Sequence, residues 1–120
     1  MDTQSTHTLP TTFTIVDRTY ELVPILEEGE SYVNGDTLVE RAQELGANLG
    51  EEEGRFISEH QDEIPQEFQG KFYLVFTAWR NLSNPQYVAY LDWHGHNWYR
   101  HWHWLDVDWG GSSRLVRRIE

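Results

Sequence analysis

The chain contains no cysteine, which excludes a disulfide scaffold, a thiolate metal centre and a cysteine nucleophile. No apolar run approaches the length needed to cross a bilayer as a helix. Met1-Asp2-Thr3-Gln4 starts neither a signal peptide nor a basic transit segment. Phosphate-cradling loops are missing too, because the glycines at 29, 35, 46, 50, 54, 70, 95, 110 and 111 are scattered punctuation. Ser112-Ser113 follow a glycine pair but lack a nucleophile-elbow pattern. Positive charge is scarce: nine Lys and Arg stand against twenty Asp and Glu, a formal net charge of −11. That balance repels phosphate and anionic lipid at long range, which disfavours a nucleic-acid or membrane binder. What remains is one soluble cytoplasmic domain of 120 residues, large enough to fold around its own core and with no motif that asks for a cofactor.

What the chain does have is unevenly placed. Residues 1–67 hold sixteen acids and three bases, a net −13, whereas residues 68–120 hold four acids and six bases, a net +2. All six tryptophans and four of the six histidines lie in the second part. The acids therefore read chiefly as the solvated coat of helices in an aromatic-rich protein.

Along the chain, residues 1–11 read as a flexible N-terminus and residues 12–120 as a single α+β domain. Phe13–Val16 and Tyr20–Val23 have the pattern of a hairpin joined at Asp17-Arg18. Asn34-Gly35-Asp36 reads as a turn, and Thr37-Leu38-Val39-Glu40 has capping-box spacing ahead of Leu38, Val39, Ala42, Leu45 and Leu49 at helical intervals. Asn48 offers a second cap, Glu51-Glu52-Glu53 suit the positive end of a helix dipole, and Phe56, Ile57, His60 and Ile64 form the next apolar stripe. From Lys71 the period turns from helical to alternating, predicting strands over 72–79, 86–93 and 98–105 and a last one over 115–119. The expected architecture is an N-terminal hairpin, two short acidic helices and a mostly antiparallel β-meander, with the helices on one sheet face.

Alternation assigns the faces. A two-residue loop within His94-Gly95-His96-Asn97 puts Tyr87, Ala89, Leu91 and Trp93 beside Trp98, Arg100, Trp102 and Trp104 on a core face, with Phe72, Leu74, Phe76 and Ala78. Arg100, the misfit there, is expected to stack on an indole or reach the rim. The other face then carries Tyr73, Thr77, Trp79, Tyr90, Asp92, Tyr99, His101 and His103. Rings with an apolar body and a polar tip suit partner contacts, so Tyr73, Trp79, Tyr90, Asp92, Tyr99, His101 and His103 are the candidate binding residues. The competing reading is an ordinary solvated sheet face with cross-strand ring pairs.

Four further constellations bear on chemistry. His101 and His103 lie about 7 Å apart along one strand face, with Asp92 or Tyr90 across the ladder as a third donor, whereas His96 and His101 are about 17 Å apart in an extended strand. Asp106 and Asp108 are spaced like a paired-carboxylate site, but beside Trp109-Gly110-Gly111 a turn is the simpler account. Stacking of single-stranded bases on Trp79, Tyr90, Tyr99 and His101 with Arg80 and Arg100 nearby would need more positive charge than +2 over this half. Conversely, Glu51, Glu52, Glu53, Glu59, Asp62, Glu63 and Glu67 could mimic phosphate toward a basic partner.

Glu40-Arg41-Ala42, Asn48-Leu49-Gly50-Glu51-Glu52, Leu74–Arg80, Val88–Trp93, Trp102–Trp109 and Arg114–Arg118 together resemble a group of small hypothetical proteins from candidate-phyla, Patescibacteria-type bacteria. The resemblance spans residues 36–118. It implies a bacterial, cytoplasmic origin and carries no activity, ligand or residue role. The leading expectation is a non-enzymatic module that offers its aromatic, histidine-bearing sheet face to a protein partner or to a second copy of itself. The alternatives are a small metal-binding protein or hydrolase using His101, His103 and Asp92, and an acidic inhibitor of a nucleic-acid enzyme.

Overall fold

The structure, a computed structural model, describes residues 11–119. Of the expected flexible N-terminus only Thr11 falls within them; the rest lies outside the described residues. Phe13 and Ile15 alternate inward along β1 (Thr12–Ile15), which pairs antiparallel with β2 (Arg18–Pro24). The turn sits at Val16-Asp17, one residue before the expected joint.

A two-residue strand, β3 (Tyr32–Val33), leads into α1 (Gly35–Glu44). Asn34, read as a turn residue, is the helix N-cap: its side chain accepts a hydrogen bond from the Thr37 amide at 2.8 Å. The second helix, α2 (Glu51–Glu59), is capped by Gly50 without a side-chain bond, so the expected Asn48 cap is not used. Single 3-10 turns follow at Gln61–Glu63 and Gln66–Phe68. The remaining strands are β4 (Tyr73–Arg80), β5 (Tyr87–His94), β6 (Asn97–Trp104), the short β7 (Trp109–Gly110) and β8 (Ser113–Arg118). No helix among the described residues is long and apolar enough to cross a membrane.

Six strands form one sheet in the order β1-β2-β8-β4-β5-β6, and β3 pairs with β7 in a separate ribbon. The fold is α+β with a mostly antiparallel sheet. The terminal strand β8 is inserted at its middle, antiparallel to β2 and parallel to β4, joining hairpin to meander.

The expectation that both helices share one sheet face is corrected. Ile57 of α2 packs in a core with Leu74, Phe76, Leu91, Trp98 and Val116, whereas Leu38 and Ala42 of α1 pack with Val75, Val88, Leu105 and Leu115. Neighbouring residues of one strand point to opposite faces, so the helices cover opposite sides. The cause lies in the central strands. Leu74, Val75 and Phe76, like Leu115 and Val116, are consecutive and all buried, a run that needs cover on both faces.

The chain before β3 is pinned by Arg41 on α1. Its guanidinium grips both Glu30 carboxylate oxygens at 2.7 Å and donates to the Ile25 carbonyl. The paired guanidinium, helped by the Glu27 amide, holds the Glu30 carboxyl down at about 2. On the other side Glu53 accepts from the Tyr20 hydroxyl at 2.6 Å and from Arg18 and Arg118. Desolvation and the Glu53 carboxylate push the Tyr20 phenol up to about 12.

Candidate functional site

The face of β4-β5-β6 that alternation singled out exists, with one residue misplaced. Tyr90 faces His101 and Asp92 faces Tyr99 across the β5–β6 ladder, closed by the two-residue turn Gly95-His96. Gly95 takes φ 76°, a conformation that favours glycine. The even-length loop keeps Tyr90, Asp92, Tyr99, His101 and His103 on one face, as expected.

Trp79 does not join them. The β4–β5 register steps from Phe76↔Ala89 to Arg80↔Val88, leaving Thr77, Ala78 and Trp79 as a bulge. The Ala78 amide bonds the Leu49 carbonyl, and Arg80 Nε bonds back to the Thr77 carbonyl at 2.6 Å. The extra residues reverse the alternation, so Trp79 turns under α2, is 4% exposed and meets Phe76 and Trp102 edge-on. Gly54 of α2 leaves the space for it: a Cβ there would sit 2.4 Å from the indole. Arg100 is solvent-exposed, with its guanidinium 4.3 Å over the Trp102 ring, the stacking expected of it.

Four of the remaining candidates, Tyr73, Tyr90, His101 and His103, form a continuous row of rings with Trp109, and Asp92 and Tyr99 lie beside it on the same face. Tyr73 meets Tyr90 edge-on at 5.5 Å, Tyr90 lies 5.3 Å from His101 and 5.8 Å from His103, and His103 meets Trp109 edge-on at 4.7 Å. Tyr73 is 42% exposed and Tyr99 46%. Asp92 approaches His101 Nε2 at 4.0 Å. Burial pulls the His103 imidazole below its ordinary value, favouring the neutral ring. Burial also raises the Tyr90 phenol, with Asp92 and Tyr73 adding to the effect.

Beneath this row lies a hollow of about 240 Å³ lined by Tyr73, Tyr90, His103, Asp108, Trp109, Gly110 and Ser113. Trp109 and Gly110 on its lining belong to the β3–β7 ribbon, in which Val33 pairs with Trp109, and the buried Trp109 indole donates its N–H to the Leu105 carbonyl at 3.4 Å. Asp108, Trp109 and Ser113 were not among the candidates. Asp108 and Trp109 read as turn residues beside two glycines, and alternation along one strand cannot reveal that a distant two-residue strand folds against it. A larger open hollow of about 580 Å³ lies between the 3-10 turns and the β5–β6 hairpin tip, near His96 and Trp93. There Gln61 grips the Trp98 backbone through both its amide nitrogen and its oxygen, covering part of the β6 edge.

The other constellations come apart. Among the described residues no three of His, Cys, Asp and Glu gather as a metal-ligand set: His101 leans to Asp92, while His103 packs on Trp109. In the acidic stretch, Glu53 is turned inward onto Tyr20, Arg18 and Arg118, and Glu51 pairs with Arg55 at 2.6 Å, so that stretch does not present a uniform row of free carboxylates. No protein-family model, curated protein or solved structure matches this chain. In chemical terms the row offers edges and faces of rings, two carboxylates and a neutral imidazole, a set suited to contact and recognition.

Proposed function

We propose that this protein is a non-enzymatic binding module of the bacterial cytoplasm that contacts a protein partner through the Tyr73, Tyr90, Asp92, Tyr99, His101 and His103 face. One observation carries the reading. Both sides of the sheet are packed against other elements, yet this row of touching rings stays part-exposed at the edge of the cover formed by α1 and the β3–β7 ribbon. Amphipathic rings held rigid by one another lose little conformational freedom on binding, which favours them as contact anchors. Their position on paired strands, rather than on loops, fixes their spacing.

The test replaces Tyr99 with a photo-reactive benzoylphenylalanine and irradiates the protein in a lysate of its natural source. Leu82, 99% exposed on the β4–β5 connection, carries the same group as a control. The expected result is one discrete adduct from position 99 and none from position 82, a second copy of the chain being recognisable by twice the mass. Tyr73→Ala with His101→Ala, in a chain whose circular dichroism is unchanged, should reduce the adduct at least tenfold, as two anchor truncations of roughly 1–2 kcal/mol each imply. Equal labelling from both positions, or an adduct that survives the double substitution, would contradict the proposal.

A further inference from the structure

The hollow under the ring row has a chemistry more specific than the face above it. We propose that Tyr73, Tyr90, His103, Trp109 and Asp108 form a cage for an alkylammonium head, presented by a lysine or methylated lysine of the protein partner. The inference rests on the binding-face reading and names what that face recognises.

Shape is the first support. Successive rings stand nearly perpendicular, at 78° for Tyr73 and Tyr90, 77° for Tyr90 and His103, and 89° for His103 and Trp109. Walls set at right angles surround a compact head, whereas a flat aromatic ligand would need parallel faces. A cation within about 6 Å of a ring centroid is attracted by the ring's negative face. Neighbouring rings here touch edge to face, 4.7–5.8 Å between centroids, so a head seated in the hollow lies against Tyr73, Tyr90 and His103 together, while Trp109, 3% exposed, backs them. The volume of about 240 Å³ falls below the roughly 300–1,000 Å³ of sites for drug-sized ligands, so the hollow fits a side-chain head and not a whole cofactor.

Charge is the second support. Asp108 on the lining supplies the only formal charge there apart from a histidine whose burial favours its neutral form. The neighbouring cation on β8, Arg114, projects to the opposite face, 4.3 Å over the Phe72 ring. A chain of net charge −11 draws cations to its surface and repels anions. Among the described residues no set of three metal-ligating side chains gathers, which leaves an organic cation as the better match to a site walled by rings.

The experiment titrates the whole chain with N-acetyl-trimethyllysine methylamide and with its uncharged tert-butyl carba-analogue, following the Trp109 indole N–H by NMR. The trimethyllysine probe is expected to saturate the shift and to bind at least tenfold more tightly than the isosteric neutral one, since only the charge distinguishes them. Tyr90→Phe should bind within about twofold of the natural chain, whereas Tyr90→Leu, which removes one ring face, should bind about tenfold more weakly. Equal affinity for the two probes, or no shift with either, would overturn the cage. Choline binding tenfold more tightly than the lysine-derived probe would overturn the protein source of the ammonium group. A lost ammonium preference with the position-99 adduct intact overturns the cage alone; a lost adduct overturns the face reading on which it rests.

Discussion

Trp79→Ala is expected to destabilise the fold by about 3–5 kcal/mol while leaving the Tyr73–Tyr90–His103 row in place. The indole is 4% exposed and fills the space beneath α2 between Phe76 and Trp102. It also carries the guanidinium of Arg55 at 5.5 Å. Removing it forfeits the transfer free energy of a large aromatic and opens a cavity whose walls are a helix and a sheet. For a domain of this size the melting temperature should fall by roughly 10–20 °C, which differential scanning calorimetry reads directly. Gly54 provides an internal check. In the natural chain Gly54→Ala adds a methyl 2.4 Å from the ring, and overpacking of roughly 1–3 kcal/mol outweighs the helix-propensity gain of about 1 kcal/mol. In the Trp79→Ala background the clash is gone and that methyl meets Phe76 Cγ at 3.5 Å, an ordinary contact, so Gly54→Ala should become stabilising. A loss below about 1 kcal/mol for Trp79→Ala, well short of the cost of emptying a core aromatic site, would mean that the indole is on the surface after all.

Gly35→Ala is the second large effect, and it reaches the candidate site. A Cβ on Gly35 would lie 1.9 Å from the Leu105 carbonyl oxygen and 2.7 Å from the Leu105 Cγ. The obstacle is backbone, which cannot swing aside as a side chain can. The Leu105 amide is held by the Gln86 carbonyl at 2.7 Å, and its own carbonyl lies 3.4 Å from the Trp109 indole N–H. Either α1 retreats from the sheet or the 105–109 turn moves. The cost should reach or exceed the upper end of the roughly 1–3 kcal/mol typical of overpacking. Thermal unfolding checks the stability, and the chemical shift of the Trp109 indole proton checks the turn. An unchanged melting temperature together with an unmoved indole resonance would contradict the close approach of α1 to Leu105.

Much of the architecture was readable in the residue pattern, for identifiable physical reasons. The strands β4, β5 and β6 announce themselves because aromatic and β-branched residues alternate over eight positions, and Gly95 marks a two-residue turn that preserves the alternation. The hairpin and both helices follow from equally local signals. What escaped depends on distant partners. Leu115-Val116 cannot say from their own neighbourhood that β8 will enter the middle of the sheet parallel to β4. Leu74-Val75-Phe76 is a continuous apolar run, and a strict two-face alternation assigned Leu74 and Phe76 but not Val75 to the core, which is why the helices were placed on one side. The bulge at Thr77–Trp79 is stabilised by the Leu49 carbonyl, outside any window on β4. That single irregularity moved Trp79 from the candidate row to the core. Within the site, Tyr73, Tyr90, Asp92, Tyr99, His101 and His103 were identifiable by parity. Asp108 and Trp109 were not, because a two-residue ribbon with β3 brings them there.

The exposed row and the buried indole make opposite demands on solvent, and hydroxyl-radical footprinting of the folded chain separates them. Rates are taken for the free protein and for the photo-captured complex, each normalised to the unfolded chain. Tyr73 and His101 are expected to react in the free protein and to be protected in the complex, Leu82 to react equally in both, and Trp79 to be protected throughout. Oxidation of Trp79 as fast as Tyr73 in the free protein, or protection of Leu82 with Tyr73 left reactive in the complex, would contradict this placement.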